Sequence, residues 1–234
     1  MNNSYNERSM KIIDLRKTIL EDNDADADRL REELKKKNVF YMNVMSSPGS
    51  GKTTTIVGTI ERLRKHFNIG VMEADIDSDV DALTVAKAGV PAVQLHTGGM
   101  CHLDADMSRQ GMAALEAEAD NALDFIILEN VGNLVCPAEF DTGACLNVAI
   151  LSVPEGDDKP LKYPLMFSVC NVVLVNKIDT LKAFDFDMQK FTNHVKELNP
   201  NAIIMPISAK TGEGMEQFVT WLADERKKLT EKYS

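Results

Sequence analysis

The stretch Ser46-Ser47-Pro48-Gly49-Ser50-Gly51-Lys52-Thr53 constrains this chain more than any other. It joins a short apolar run, Val39–Met45, to a longer amphipathic one, Lys52–Phe67. The first reads as a buried strand and the second as a helix. The same alternation runs on from there. Ile69–Asp75, Val90–Leu95, Phe125–Asn130, Val148–Val153, Asn171–Asn176 and Ile203–Ile207 read as strands. Asp79–Ala88, Leu103–Ala119, Asp187–Leu198 and Gly214–Lys228 read as helices. Strands separated by helices need crossover connections, so the expected class is α/β, a mostly parallel sheet flanked by helices. Ligands of such sheets gather at the carboxyl ends of the strands. Residues 1–38 are different: polar and charged, with five acids between Glu21 and Asp28. They are expected to form a solvated arm and a lead-in helix ahead of one domain spanning 39–234. Ile12, Ile13, Leu15, Ile19 and Leu20 suggest one apolar helical stripe within that arm.

Composition narrows the functions. The chain has 234 residues and a net charge of −10. That argues against sequence-independent nucleic-acid binding and against adhesion to anionic membranes. No apolar run approaches a membrane span. The opening MNNSYNERSMKIID lacks an apolar signal-peptide core, so a cytoplasmic location is expected. The four cysteines fit reduced thiols.

The Ser46–Thr53 turn matches the phosphate-loop pattern, with Ser46 in place of the leading glycine. Gly49 and Gly51 let the backbone curl so that N–H groups face one centre, and the helix start adds its dipole. Pro48, Ser50 and Thr54 complete the loop. Lys52 would reach the β and γ phosphates, and the Thr53 hydroxyl would take one position on Mg²⁺. An ordinary Gly-Ser turn is the plainer alternative. The loop alone does not name the base. Asn176-Lys177-Ile178-Asp179 follows a buried strand. There the Asp179 carboxylate can accept two hydrogen bonds from guanine, a donor pair that adenine lacks. Asn176 would brace the loop, and the Lys177 stem would cover the base. Ser208-Ala209-Lys210, after the last strand, would supply a backbone N–H to the guanine oxygen.

Two more strand ends carry acids. Asp75 could hold Mg²⁺ directly or through water. Asp77, Asp79 and Asp81 behind it fit a turn and helix cap as well. Glu129-Asn130-Val131-Gly132 stands where a γ-phosphate-sensing loop is expected, with the glycine N–H as the sensor. No glutamine follows Gly132, so the sequence does not fix which residue orients the attacking water, and hydrolysis is expected to be slow. Cys101, His102 and Cys136 offer soft and borderline ligands suited to Zn²⁺ or Ni²⁺. Three ligands leave a tetrahedral site one short, which water or a second subunit could fill. Cys145 and Cys170 read as core thiols. Met107 and Met112 read as core fillers. His66, His96 and His194 read as surface or loop residues with no evident partner.

Taken together, these motifs resemble the HypB family, the GTPases that insert nickel during NiFe-hydrogenase maturation. The matching stretches are Ser47–Thr53, Cys101–Ala105, Glu129–Pro137, Pro154–Asp158 and Asn176–Asp179. The resemblance implies a P-loop NTPase fold of the dimerising, metal-handling GTPase branch. Lys52, Thr53, Asp75, Glu129 and Gly132 would then serve hydrolysis of GTP to GDP and phosphate. It implies a nickel or zinc site of Cys101, His102 and Cys136 near a dimer interface. It also implies GTP-dependent homodimerisation that gates metal transfer. The implied partners are a small nickel chaperone and, through it, the hydrogenase large subunit. Asp157–Lys162 lies where dimer contacts arise in the family, so Lys159 or Lys162 is a candidate to approach the partner subunit's nucleotide. The chain departs from the family in having no cysteine before Cys101 and no histidine before His66, which argues against a nickel store at the N-terminus. Other readings are a urease-type nickel accessory GTPase, a P-loop small-molecule kinase and a non-enzymatic metal store. The kinase leaves Asn176–Asp179 unexplained, and the store leaves the phosphate loop unexplained.

Overall fold

A computed structural model describes residues 15–75 and 88–231, without the side chains of 15–19, 75, 230 and 231. The stripe from Ile12 to Ile19, most of the expected Asp79–Ala88 helix and the last residues lie outside this description. The strands are β1 (Phe40–Ser46), β2 (Ile69–Asp75), β3 (Ala92–His96), β4 (Phe125–Glu129), β5 (Leu146–Ser152), β6 (Val172–Asn176) and β7 (Ile203–Pro206). They form one parallel sheet in the order β3-β2-β4-β1-β5-β6-β7. From the central β1 the sheet runs out through β5, β6 and β7 on one side, and on the other β4 is inserted between β1 and the earlier β2 and β3. The carboxyl end of β1 therefore sits between the ends of β4 and β5, at the switch point where such sheets bind ligands.

The helices are α1 (Leu15–Lys36), α2 (Lys52–Leu63), α3 (Ala105–Glu118), α4 (Cys136–Glu139), α5 (Lys159–Lys162), α6 (Pro164–Val169), α7 (Met188–Leu198) and α8 (Met215–Glu231). The period-two alternation of β1 sorts them. Phe40, Met42 and Val44 pack with Ile56 and Ile60 of α2 and Phe218 and Leu222 of α8. On the opposite face, Tyr41 packs with α1 and α3. Met45 belongs to a third cluster, with Leu134, Phe167 of α6 and Phe191 of α7.

The acidic stretch 21–28, expected to be solvated, lies within the single helix α1. Ala27, Leu30 and Leu34 recur at helical spacing and are all but completely buried. Arg31 bridges to Asp141 at 2.8 Å, and Arg109 of α3 pairs with Glu33. Gly143 (φ +77°) lets Leu30 approach, since a Cβ there would lie 2.8 Å from Leu30 Cδ2. The acids face outward while a narrow apolar stripe docks, which the acid-rich composition obscures. Other boundaries move by a few residues. The α2 helix stops at Leu63, α3 starts at Ala105 under an Asp104 cap, and β5 starts at Leu146, two residues early. No described helix is long and apolar enough to cross a membrane.

Candidate functional site

The phosphate loop leaves β1 and enters α2 as expected. Gly49 and Gly51 have φ of +76° and +92°. Gly51 is required twice over, because a Cβ there would lie 2.5 Å from Asn176 Nδ2. A cleft of about 670 Å³ opens above the loop. It is lined by Pro48, Gly49, Gly51, Lys52, Thr53 and Thr54, by Glu73 from β2, by Glu129 and Gly132, and by Lys177. The Lys52 ammonium lies 3.6 Å from Glu129 Oε1, and Thr53 Oγ1 donates to the same oxygen at 2.8 Å. Ser50 is buried within the loop itself. Ser47 donates to Glu155 Oε1, and the other Glu155 oxygen accepts from Ser152 N and Oγ at 2.7 Å each. The loop is thus tied to the end of β5.

Glu73 escaped the reading of the sequence. It is only 3% exposed and stands in register with Glu129 on the neighbouring strand. Its signal was a charged residue at an interior position of a buried parallel strand. The side chain of Asp75, the acid expected at this end of β2, lies outside the described residues.

The loops expected to read the base converge on one amide. Asn176 is 2% exposed. Its Nδ2 donates to Ser50 O at 2.9 Å, and its Oδ1 accepts from Lys177 N at 2.8 Å and Ala209 N at 3.0 Å. One side chain therefore joins the phosphate loop, the Asn176–Asp179 turn and the Ser208–Lys210 turn. Lys177 takes a left-handed φ of +61° and its Nζ donates to Gly49 O at 2.6 Å. Asp179 is exposed and accepts from Ser208 Oγ at 2.7 Å. Lys210 is exposed beside it.

Of the three soft-ligand candidates, the structure brings two together. Cys101 Sγ and Cys136 Sγ are 2.8 Å apart, each partly exposed. That contact, and then burial, raises the Cys136 thiol above its ordinary value. The His102 ring stacks on Phe140 at 3.6 Å between centroids, and burial lowers its pKa. Among the described residues, no three His, Cys, Asp or Glu side chains of one chain gather as a metal cage. Met100 and Val135, which precede the two cysteines, are 41% and 46% exposed. Cys170 is buried, and Cys145 is half-buried against β1, donating to Tyr41 O at 3.2 Å. His194 lies on α7 rather than in a loop, with Nδ1 3.4 Å from Asp157 O, so it does have a neighbour. Lys162 pairs with Asp158 at 2.6 Å, and Lys159 lies over the Tyr163 ring.

Residues 40–206 match the family described as CobW/HypB/UreG, nucleotide-binding domain. The hydrogenase maturation factor HypB of Azotobacter chroococcum is 44% identical over 92% of this chain and 70% of its own length. The chain belongs to the HypB family. A hydrogenase/urease maturation factor HypB of Helicobacter pylori is 38% identical, covering 97% of this chain and 92% of that relative. The crystal structure of HypB from Helicobacter pylori in complex with nickel superposes with a TM-score of 0.83 at 39% identity, over 88% of this chain and 96% of the other. The Cys101–Cys136 pair and the nucleotide cleft thus belong to a fold that this HypB structure shares.

Proposed function

We propose that residues 39–234 form a GTP-hydrolysing metallochaperone domain that binds nickel, or zinc, and supports nickel insertion into NiFe-hydrogenase. The observation that carries the nucleotide half of this reading is the Asn176 amide, which holds three loops in one arrangement. The Asp179 carboxylate would then accept from guanine's two donors, and a backbone N–H of the Ser208–Lys210 turn would meet its oxygen. Lys52 and the α2 amino terminus would neutralise the polyphosphate. The Gly132 N–H would read its last phosphate.

The donors beside Lys52 are oxygens, Thr53 Oγ1 and the Glu129 carboxylate, and they suit a hard cation. Thr53 and Asp75 would hold Mg²⁺, which when bound neutralises charge developing on the β and γ phosphates. Glu129 would keep Lys52 and Thr53 in place. No glutamine follows Gly132 to orient the attacking water, so turnover would be slow.

The metal half rests on the thiol pair. Cys101 and Cys136 are soft donors 2.8 Å apart, and nickel or zinc is their cargo. His102 would join by leaving Phe140. The remaining ligands would come from water or from a second copy of the chain. Exposed Met100 and Val135 beside the thiols, with Leu161 and Leu165 of α5 and α6 exposed by 60% and 43%, support a homodimer on this face. Cys136, which opens α4, follows Glu129, which ends β4, by seven residues, so one short loop joins them. Nucleotide that orders this loop would therefore also move a metal ligand, and the coupling is reciprocal. The partners would be a small nickel chaperone and, through it, the hydrogenase large subunit, all in the cytoplasm. The relative named as a hydrogenase/urease factor favours one second reading, nickel delivery toward urease as well.

Product analysis tests the enzymatic core. GTP should yield GDP and free phosphate slowly, and ATP should yield neither. A phosphorylated small molecule would make the protein a kinase. Nucleotide left unchanged would reduce it to a metal store.

A further inference from the structure

Three asparagine side chains cross the middle of the sheet in series. Asn130 Nδ2 donates to Asn43 Oδ1 at 2.9 Å, and Asn43 Nδ2 donates to Asn147 Oδ1 at 3.0 Å. Asn147 Nδ2 points on to Val169 O at 3.4 Å, at the end of α6. At the head of the row, Asn130 Oδ1 accepts from Val131 N at 2.8 Å. Asn43 and Asn130 are 2% and 0% exposed. Asn43 lies between Tyr41 and Met45, which serve two separate apolar clusters on that face. A leucine there would extend either cluster, so packing does not call for an amide. A buried amide is costly unless bonded, and here every donor points the same way down the row, which allows one arrangement.

The head of the row is the loop expected to read the last phosphate. Asn130 is bonded at both ends of its amide, so Asn43 fixes its rotamer and with it the direction of the Val131 N–H. Gly132 follows, packed so closely on the phosphate loop that a Cβ would lie 3.2 Å from Pro48 Cγ. Asn43 sits on β1, the strand that carries the phosphate loop, while Asn130 directly follows β4. The amide pair therefore sets the spacing between the loop that holds the phosphates and the loop that reads their end.

We propose that Asn43 is a positioning residue for the triphosphate end of the site. It acts through Asn130 on the Glu129–Gly132 loop, so that it sets the preference for a nucleoside triphosphate over a diphosphate. This rests on the guanine-nucleotide reading above. Binding of GDP and of the imido analogue of GTP is measured by calorimetry on the full chain.

Asn43→Leu should weaken the analogue at least fivefold and leave GDP within twofold. Asn130→Ala, which cuts the row at its head, should do the same, and the double variant should be no worse than either. Asn147→Leu also removes a hydrogen bond of this row, a half-buried one, but spares Asn130–Asn43, so its ratio should stay that of wild type. A ratio unmoved in both Asn43→Leu and Asn130→Ala would overturn the proposal, and so would an equal shift in Asn147→Leu. If Asn43→Leu does not fold, Asn130→Ala against Asn147→Leu decides alone. Wild-type protein that binds neither nucleotide would instead overturn the guanine reading, and this inference with it.

Discussion

Asn176→Ala separates a brace from a reader. The substitution removes three hydrogen bonds, to Ser50 O, Lys177 N and Ala209 N. At about 1 kcal/mol net each, the loss is roughly 3 kcal/mol, larger where a group left behind cannot reach water. Ser50 is fully buried, so its carbonyl is the costly one. With a urea m-value of about 2–3 kcal/mol/M, the unfolding midpoint should fall by about 1–1.5 M. Asp179→Ala makes the contrast. Asp179 is exposed and its bond is to Ser208 Oγ, so stability should change by less than about 1 kcal/mol. Yet it should lose two charge-assisted bonds to guanine, about 3–6 kcal/mol, or more than 100-fold in GDP affinity. The assays are urea unfolding without nucleotide and calorimetric GDP binding below each variant's transition. An Asn176→Ala midpoint within about 0.3 M of wild type would refute the brace, and Asp179→Ala binding GDP normally would refute the reader.

Further outcomes follow from other contacts. Leu30→Ala should destabilise the protein by about 2–4 kcal/mol, because the side chain fills the space left by Gly143; a fully solvated α1 would give no change. Burial raises the Cys145 thiol from its ordinary 9.0 to about 11. The unfolded chain then gives up this proton first, so the site's contribution is intact below pH 9 and is lost between there and pH 11. Cys145→Ala should flatten the alkaline fall of the urea midpoint over that range, and an unchanged slope would contradict it. Lys159→Ala with Lys162→Ala should lower analogue-dependent dimer affinity and phosphate release at least tenfold if either lysine reaches the partner subunit; unaltered values would dismiss both.

The sheet was legible because buried parallel strands stand out as apolar runs between amphipathic ones. The turn after β1 was legible because backbone curling demands glycines at fixed positions, and Gly49 and Gly51 do take positive φ. What escaped was set by tertiary context. The α1 stripe of Ala27, Leu30 and Leu34 hides among acids that carry its outer face. The short helices α4, α5 and α6 begin at or beside Pro137, Pro160 and Pro164 and have no room for a period. Glu73 and Asn43 were passed over inside strands, where only the pairing of β2 with β4 and of β1 with its neighbours reveals what they meet. The stacking of His102 on Phe140 joins residues far apart in the chain, and no local pattern announces it.

The central claim is that nucleotide state and metal affinity are linked through the loop that carries Glu129 and Cys136. Its most direct test is Ni²⁺ affinity, measured by competition with a chromophoric chelator, for the full chain in GDP and in the imido analogue of GTP. The account predicts an affinity that differs at least fivefold between the two states and a difference that disappears in Cys136→Ser. Equal affinity in both states, with wild-type protein binding nickel and both nucleotides, would contradict it.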